Sequence, residues 1–173
     1  MRYSLFILVS FLTLLFSSCG QDEWKVYEAY EFNVEFPGHA KDTATMEGDL
    51  AGVTVFYEPV QGSLDSNLYY SVSYYTLSDS INKLGDDLDH FFKDDVKIYA
   101  WTIGGVLADS GRSVKSGKFE GKEYKVFLAQ NAGTATIRKF AKGKHLYTLR
   151  VVTEKSCLNN SQIERFMESF KLK

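Results

Sequence analysis

Residues 118–153 read KFEGKEYKVFLAQNAGTATIRKFAKGKHLYTLRVVT, and this stretch decides the fold. It resolves into three runs and two turns. Lys122–Gln130, Thr134–Ala141 and His145–Thr153 are rich in Tyr, Phe, Val, Thr and Ile, which suit a pleated, half-buried surface. Between them stand Asn131-Ala132-Gly133, a Gly-containing loop of hairpin length, and Lys142-Gly143-Lys144, a second tight turn. Three strands joined in this way form an antiparallel meander, whose faces and edges other elements must cover.

Working outward, Tyr30–Phe36 alternates large apolar with polar residues and reads as a strand with one face buried, stopped by Pro37-Gly38. Thr43–Glu47 and Gly52–Glu58 read as two more strands, joined through Gly48-Asp49 and ended by Pro59. A loop through Gly62 and Asp65 leads to Leu68–Thr76. There Leu68, Tyr70, Val72 and Tyr74 share one face, and Tyr69, Ser71, Ser73 and Tyr75 share the other, which reads as thinly covered or partly wet. From Ser78 the period changes. Ile81, Leu84, Leu88 and Phe91/Phe92 fall at helical spacing behind a Ser78/Asp79/Ser80 cap region, and Val96, Ala100 and Ile103 carry the stripe to a stop at Gly104-Gly105. Val106–Val114 reads as a strand. After the meander, Ser161-Gln162-Ile163-Glu164 reads as a capping box opening a helix with Ile163, Phe166, Met167 and Phe170 on one face. The expected architecture is one α+β domain, a mainly antiparallel sheet packed by Leu84, Leu88 and Phe92 from a mid-chain helix and by Phe166 and Phe170 from a C-terminal one.

The N-terminus carries a different message. Met1–Ser18 has one charge, Arg2, and then the apolar runs Leu5–Val9 and Phe11–Phe16. It falls short of the roughly 20 apolar residues of a spanning helix and fits a signal-peptide core. Leu15-Phe16-Ser17-Ser18-Cys19 looks like a bacterial lipobox, with small residues before the Cys that takes the diacylglycerol, although Phe16 stands where Leu is commonest. The expectation is a signal peptide over 1–18, a lipidated, palmitate-type anchor at Cys19 with a tether over 19–28, and one domain over 29–173. The acidic Gln21-Asp22-Glu23 resembles an export signal to the outer surface in one large group of Gram-negative bacteria. That points to the outer membrane of the cell envelope.

Composition narrows the function. Removing residues 1–18 takes away Arg2 alone and leaves 19 basic against 22 acidic residues, with no basic stripe, so a nucleic-acid partner is not expected. Beyond Cys19 the chain has one further cysteine, Cys157, which excludes an internal disulfide and a Cys-spaced metal site in the mature chain. A Cys157/His145 nucleophilic pair lacks any adjoining oxyanion or orienting motif; a small buried residue before the last helix explains Cys157 better. Asp86, Asp87, Asp89, His90, Asp94 and Asp95 lack the alternating spacing and central Gly of a calcium loop. On a helix Asp86, Asp89 and His90 face away from the apolar stripe, as a solvated face does. His39, His90 and His145 match no metal spacing. No catalytic residue, cofactor or metal is assigned. Tyr69, Tyr75 and Trp101, with Tyr57 and Tyr99, remain as a ligand platform for a glycan or lipid.

Several short motifs together resemble the PsbP-like superfamily. They are Phe36-Pro37-Gly38, Gly104-Gly105, Phe119-Glu120-Gly121-Lys122-Glu123-Tyr124, Lys144-His145-Leu146-Tyr147-Thr148-Leu149 and Arg165-Phe166-Met167-Glu168-Ser169-Phe170-Lys171-Leu172. Where that family often has Gly-x-Pro-Gly before the first meander strand, this chain keeps only Gly121. The resemblance spans nearly the whole mature chain. It implies an antiparallel sheet with helices packed on it, usually a binding or assembly role, and no catalytic residues to carry across; the reading of the whole chain is a non-enzymatic envelope lipoprotein that binds a protein partner.

Overall fold

Successive residues of a strand point to opposite faces, so a strand that is apolar on both sides needs two covers. The central strands here are of that kind, and the chain supplies both. The computed structural model describes residues 23–47, 50–60, 65–77, 87–155 and 160–173. In chain order these form β1 (Lys25–Glu28), β2 (Phe32–Phe36), β3 (Lys41–Glu47), β4 (Leu50–Tyr57), β5 (Asn67–Thr76), α1 (Leu88–Thr102), β6 (Val106–Leu107), β7 (Arg112–Ser116), β8 (Phe119–Phe127), β9 (Gly133–Lys142), β10 (His145–Glu154), α2 (Ser161–Ser169) and β11 (Lys171–Leu172). Eight strands make one sheet in the order β3-β4-β5-β10-β9-β8-β6, with β7 also on β8; β1-β2-β11 make a second. Every pairing is antiparallel.

One face of the large sheet carries Tyr70, Val72, Phe140, Tyr147, Leu149 and Val151. It is covered by the small sheet through Phe32, Val34 and Phe36, and by α2 through Phe166 and Met167. The opposite face carries Tyr124, Val126, Ala135, Ile137 and Leu146, covered by Phe92, Val96 and Ala100 of α1. The architecture is therefore α+β and mainly antiparallel, with a helix on each face. Leu88 and Phe92, and Phe166 and Phe170, pack as expected. Ile81, Leu84, Asp86 and the Ser78 cap region lie outside the described residues, as do Cys19, Gly48-Asp49, Gly62 and Cys157.

Local chemistry accounts for the ends of the elements. α1 stops at a Schellman motif, in which Gly104 N–H donates to Trp101 O at 3.0 Å and Gly105 N–H to Ala100 O at 2.7 Å. Gly104 stands at φ +66°, where a side chain would be strained. Gly121 serves packing. A Cβ there would lie 2.4 Å from Lys139 O and 2.5 Å from the Phe140 ring, its cross-strand neighbour. α2 opens one residue earlier than a Ser161 capping box would have it. Asn160 is the N-cap, its Oδ1 accepting from Ile163 N–H at 3.0 Å.

Three other expectations are corrected. Leu68 does not share the buried face of Tyr70 and Val72 but is 49% exposed. The register slips between Val152 and Thr153, pairing Thr153 with Asn67 instead of Leu68. This bulge turns Asn67 inward, where it bonds Thr153, and leaves Leu68 outside. Val106–Val114 is not one strand. It runs as β6 and β7 along the same neighbour, β8, broken by a turn in which Gly111 N–H donates to Asp109 Oδ1. Finally, residues 25–28, placed in the tether, form β1 and pair with β2, so the folded part begins earlier than residue 29. Trp24 already packs edge-on against Tyr70 at 6.3 Å, with Arg165 over its ring.

On the α2 face one ion pair is buried. Glu123 meets Arg138 there and takes Arg112 from the rim at 2.6 Å. Arg138 also donates to Met167 O at 3.0 Å and reaches Glu168 at 2.7 Å, so the guanidinium sits against the C-terminal turn of α2, where the helix dipole favours a cation. Burial alone would raise the Glu123 carboxyl, but its bonds to Arg112 and Arg138 prevail and hold it below the usual carboxylate range.

Two outcomes follow for stability. Phe166 is fully buried, with ring centroids 5.2 Å from Phe36 and 5.3 Å from Tyr70, so Phe166→Ala should cost about 3–5 kcal/mol in a denaturant titration. Because the folded Glu123 pKa is depressed, its contribution is present above its ordinary value of 4.5 and is lost as pH falls through the folded value. The melting-temperature gap between wild type and Glu123→Gln should therefore be widest near neutral pH and narrow steadily below that value.

Candidate functional site

The α1 face of the large sheet is only half apolar. α1 lies over the β6 and β8 side, and towards β3 the residues become hydroxylic. Register places Thr43, Thr54, Ser73, Thr148, Lys139 and Lys122 side by side on six neighbouring strands. The row is hydrogen-bonded within itself: Thr54 to Ser73 at 2.8 Å, and Lys139 Nζ donating to Thr148 Oγ1 at 2.9 Å. Lys139 is only 1% exposed and pairs with Asp95 of α1; Lys122 pairs with Asp89 at 2.7 Å. Asp95 meets the buried charge beneath the helix.

The next row holds Phe56, Ser71 and Arg150. The Arg150 guanidinium lies over the Tyr99 ring, Cζ 3.9 Å from its centroid. Burial raises the Tyr99 hydroxyl pKa, and the charge of Arg150 offsets part of that rise. Two buried polar atoms in this row, Arg150 Nε and Ser71 Oγ, have no hydrogen-bond partner among the described residues. Over both rows opens a groove of about 510 Å³, flanked by Tyr69, Tyr75, Thr45 and Glu58. Tyr69 is stacked on Phe56, ring centroids 6.1 Å apart and 23° between planes.

The structure thus brings Tyr69 and Tyr75 into one groove and sets Tyr99 beside it through Arg150. Tyr57 belongs to the other face, packed on Tyr70 at 6.3 Å. Trp101 stands apart on α1, 82% exposed. His145 Nδ1 lies 3.1 Å from Thr76 Oγ1, and Asp94 pairs with Lys97 at 2.7 Å. Among the described residues no group of three or more His, Cys, Asp or Glu could hold a metal. Arg150 went unread in the sequence, although a signal was there. It is the one charge in the Leu146–Thr153 run of Leu, Tyr, Thr and Val, in phase with Leu146, Thr148 and Val152. A guanidinium, a floor of hydroxyls and flanking aromatic rings can bind a polar anion.

The fold is similar to a solved structure. The solution structure of cyanobacterial PsbP (CyanoP) from Synechocystis sp. PCC 6803 superposes with a TM-score of 0.60 at 13% identity, covering 90% of this chain and 96% of that one. The fold is therefore PsbP-like. A crystal structure from Bacteroides thetaiotaomicron, at 1.50 Å resolution, matches with a TM-score of 0.47 at 12% identity, over 89% of this chain and 49% of that one. No protein-family model and no curated protein sequence matches the chain.

The Lys139–Asp95 pair generates a test. Asp95→Ala leaves a buried ammonium without its carboxylate and should cost about 3 kcal/mol, whereas Lys139→Met in the same background should recover much of the loss. Equilibrium unfolding of the two single variants and the double variant measures both.

Proposed function

We propose that the chain is a lipid-anchored envelope lipoprotein that binds a protein partner and does not itself catalyse a reaction. The anchor reading rests on the residues before and at Cys19, and the acidic Gln21-Asp22-Glu23 favours the outer membrane, facing outward. Among the described residues no helix is long and apolar enough to cross a membrane. The observation that carries the partner reading is apolar exposure at one end of the domain. Ile98 and Trp101 stand one turn apart on α1, and the chain then turns at Gly104 directly into the Val106–Phe127 pair, which is also exposed. A large indole left in water is characteristic of an interface anchor.

A second reading is favoured by a separate observation. The groove over Arg150, with Tyr69 and Tyr75 beside it, is concave and polar and suits a small ligand better than a flat protein surface.

The test for the first reading uses the full chain in its own cells, with a photo-crosslinking side chain at position 101 or, as control, at the exposed position 41. Wild type should enter the detergent phase of a Triton X-114 separation, Cys19→Ala should not, and a discrete crosslinked species should form from position 101 alone. An aqueous wild-type protein with unmodified Cys19 ends the anchor reading. Equal crosslinking from both positions ends the partner reading.

A further inference from the structure

We infer that the Arg150 groove is a binding site for an acidic sugar, with the guanidinium taking the carboxylate of a uronate residue in an anionic glycan. The inference rests on the second reading above, that the groove holds a ligand, and names its chemical class.

The argument starts from what Arg150 lacks. Arg112 and Arg138 both meet Glu123, Arg138 also meets Glu168, and Arg165 meets Glu35 at 2.9 Å. Arg150 alone among the described arginines meets no carboxylate; it lies over the Tyr99 ring, with Ser71 and Ile137 as its cross-strand neighbours. Its Nε is buried without an acceptor, and Ser71 Oγ, its cross-strand neighbour, is buried without a partner as well. Ser71 stays beneath the groove, whereas Arg150 lines it, so this guanidinium reaches the groove with its hydrogen-bonding capacity incompletely met. A guanidinium with free donors matches a planar carboxylate bidentately, which an ammonium cannot do.

The rest of the groove selects what carries that carboxylate. Thr43, Thr45, Thr54 and Ser73 present hydroxyls that donate or accept, as a polyol requires. Tyr69 and Tyr75 stand at the flank, where an aromatic edge or face can meet the apolar side of a pyranose ring. Among the described residues Glu58 is the one acid lining the groove, and no ion pair joins it to Arg150. Its charge accepts sugar hydroxyls and repels a second negative charge, so the site suits a monoanion over a phosphate dianion. A fatty chain would strand the guanidinium and the hydroxyl row in hydrocarbon, which excludes the lipid option for this groove. A neutral sugar would leave Arg150 as unsatisfied as before, and sites built for a charged partner discriminate strongly against ligands lacking it.

The test is saturation-transfer NMR with titration on the full chain in detergent micelles, with D-glucuronate, D-glucose and inorganic sulfate as separate probes. Glucuronate should bind at least about tenfold more tightly than glucose. Arg150→Met, which keeps the aliphatic stem against Tyr99, should lose that preference, and Arg150→Lys should regain only part of it. Glu58→Gln, at the rim, should retain glucuronate and gain affinity for sulfate; it serves if Arg150→Met fails to fold. Equal binding of glucuronate and glucose, undiminished binding to a folded Arg150→Met, or sulfate outcompeting glucuronate on wild type would each overturn the acidic-sugar assignment while leaving a ligand groove. If none of the three probes binds, the groove reading itself falls. The crosslink from position 101 is independent of either result.

Discussion

Two consecutive cations on β9 hold the molecule together across both faces of its sheet. Arg138 points to one side and Lys139 to the other, as the strand period requires, and each is all but buried. Arg138 grips α2 through Met167 O and Glu168; Lys139 grips α1 through Asp95. Neither charge could be buried without its partners, because an unpaired ion in the interior costs several kcal/mol. The helices are therefore not free to slide over their apolar beds. A purely hydrophobic contact tolerates displacement, whereas a buried ion pair specifies one position.

That division explains why the α1 face can afford an open half. Over β8 and β9 the helix seals Tyr124, Val126 and Ile137. Beyond Lys139 the row continues through Thr148, Ser73 and Thr54 to Thr43 at the edge strand, so polarity leads out from under the helix to the groove. Thr148 accepts from Lys139, and Thr54 and Ser73 bond each other; the buried polar atoms without a partner among the described residues, Arg150 Nε and Ser71 Oγ, lie in the next row. Ile98, Trp101, Val106 and Phe127 are exposed elsewhere, at the end of α1 and along β6 and β8, apart from the groove.

Much of this was legible in the sequence. The three meander strands announced themselves through Tyr, Val and Ile at alternate positions, and α2 through Phe166, Met167 and Phe170, because period and composition are local properties. Asn160 was missed because Ser161 and Glu164 mimic a capping box one residue on. Leu68 was misplaced because a bulge depends on the partner strand, which no local period reports. The broken β6–β7 edge escaped for a similar reason: both pieces carry strand residues, and only pairing with β8 shows the turn at Asp109. At the groove, Tyr69 and Tyr75 could be singled out from one strand alone. Their meeting with Arg150 is set by registers between β5 and β10, so no single stretch contains the site.

The small sheet has a consequence for the order in which the protein can be completed. β2 supplies Phe32, Val34 and Phe36 to the core, yet one of its neighbours is β11, and Glu35 N–H donates to Ser169 Oγ across 134 positions of sequence. The meander, by contrast, closes through turns of a few residues. Contacts so distant along the chain are slow to form, because loop closure must precede any stabilisation they bring. While its C-terminal segment is still held elsewhere, the chain keeps three early apolar strand positions without their full cover. Full closure of the α2 face therefore depends on residues at both ends of the domain, so β2 cannot complete its cover before Ser169 and β11 are present.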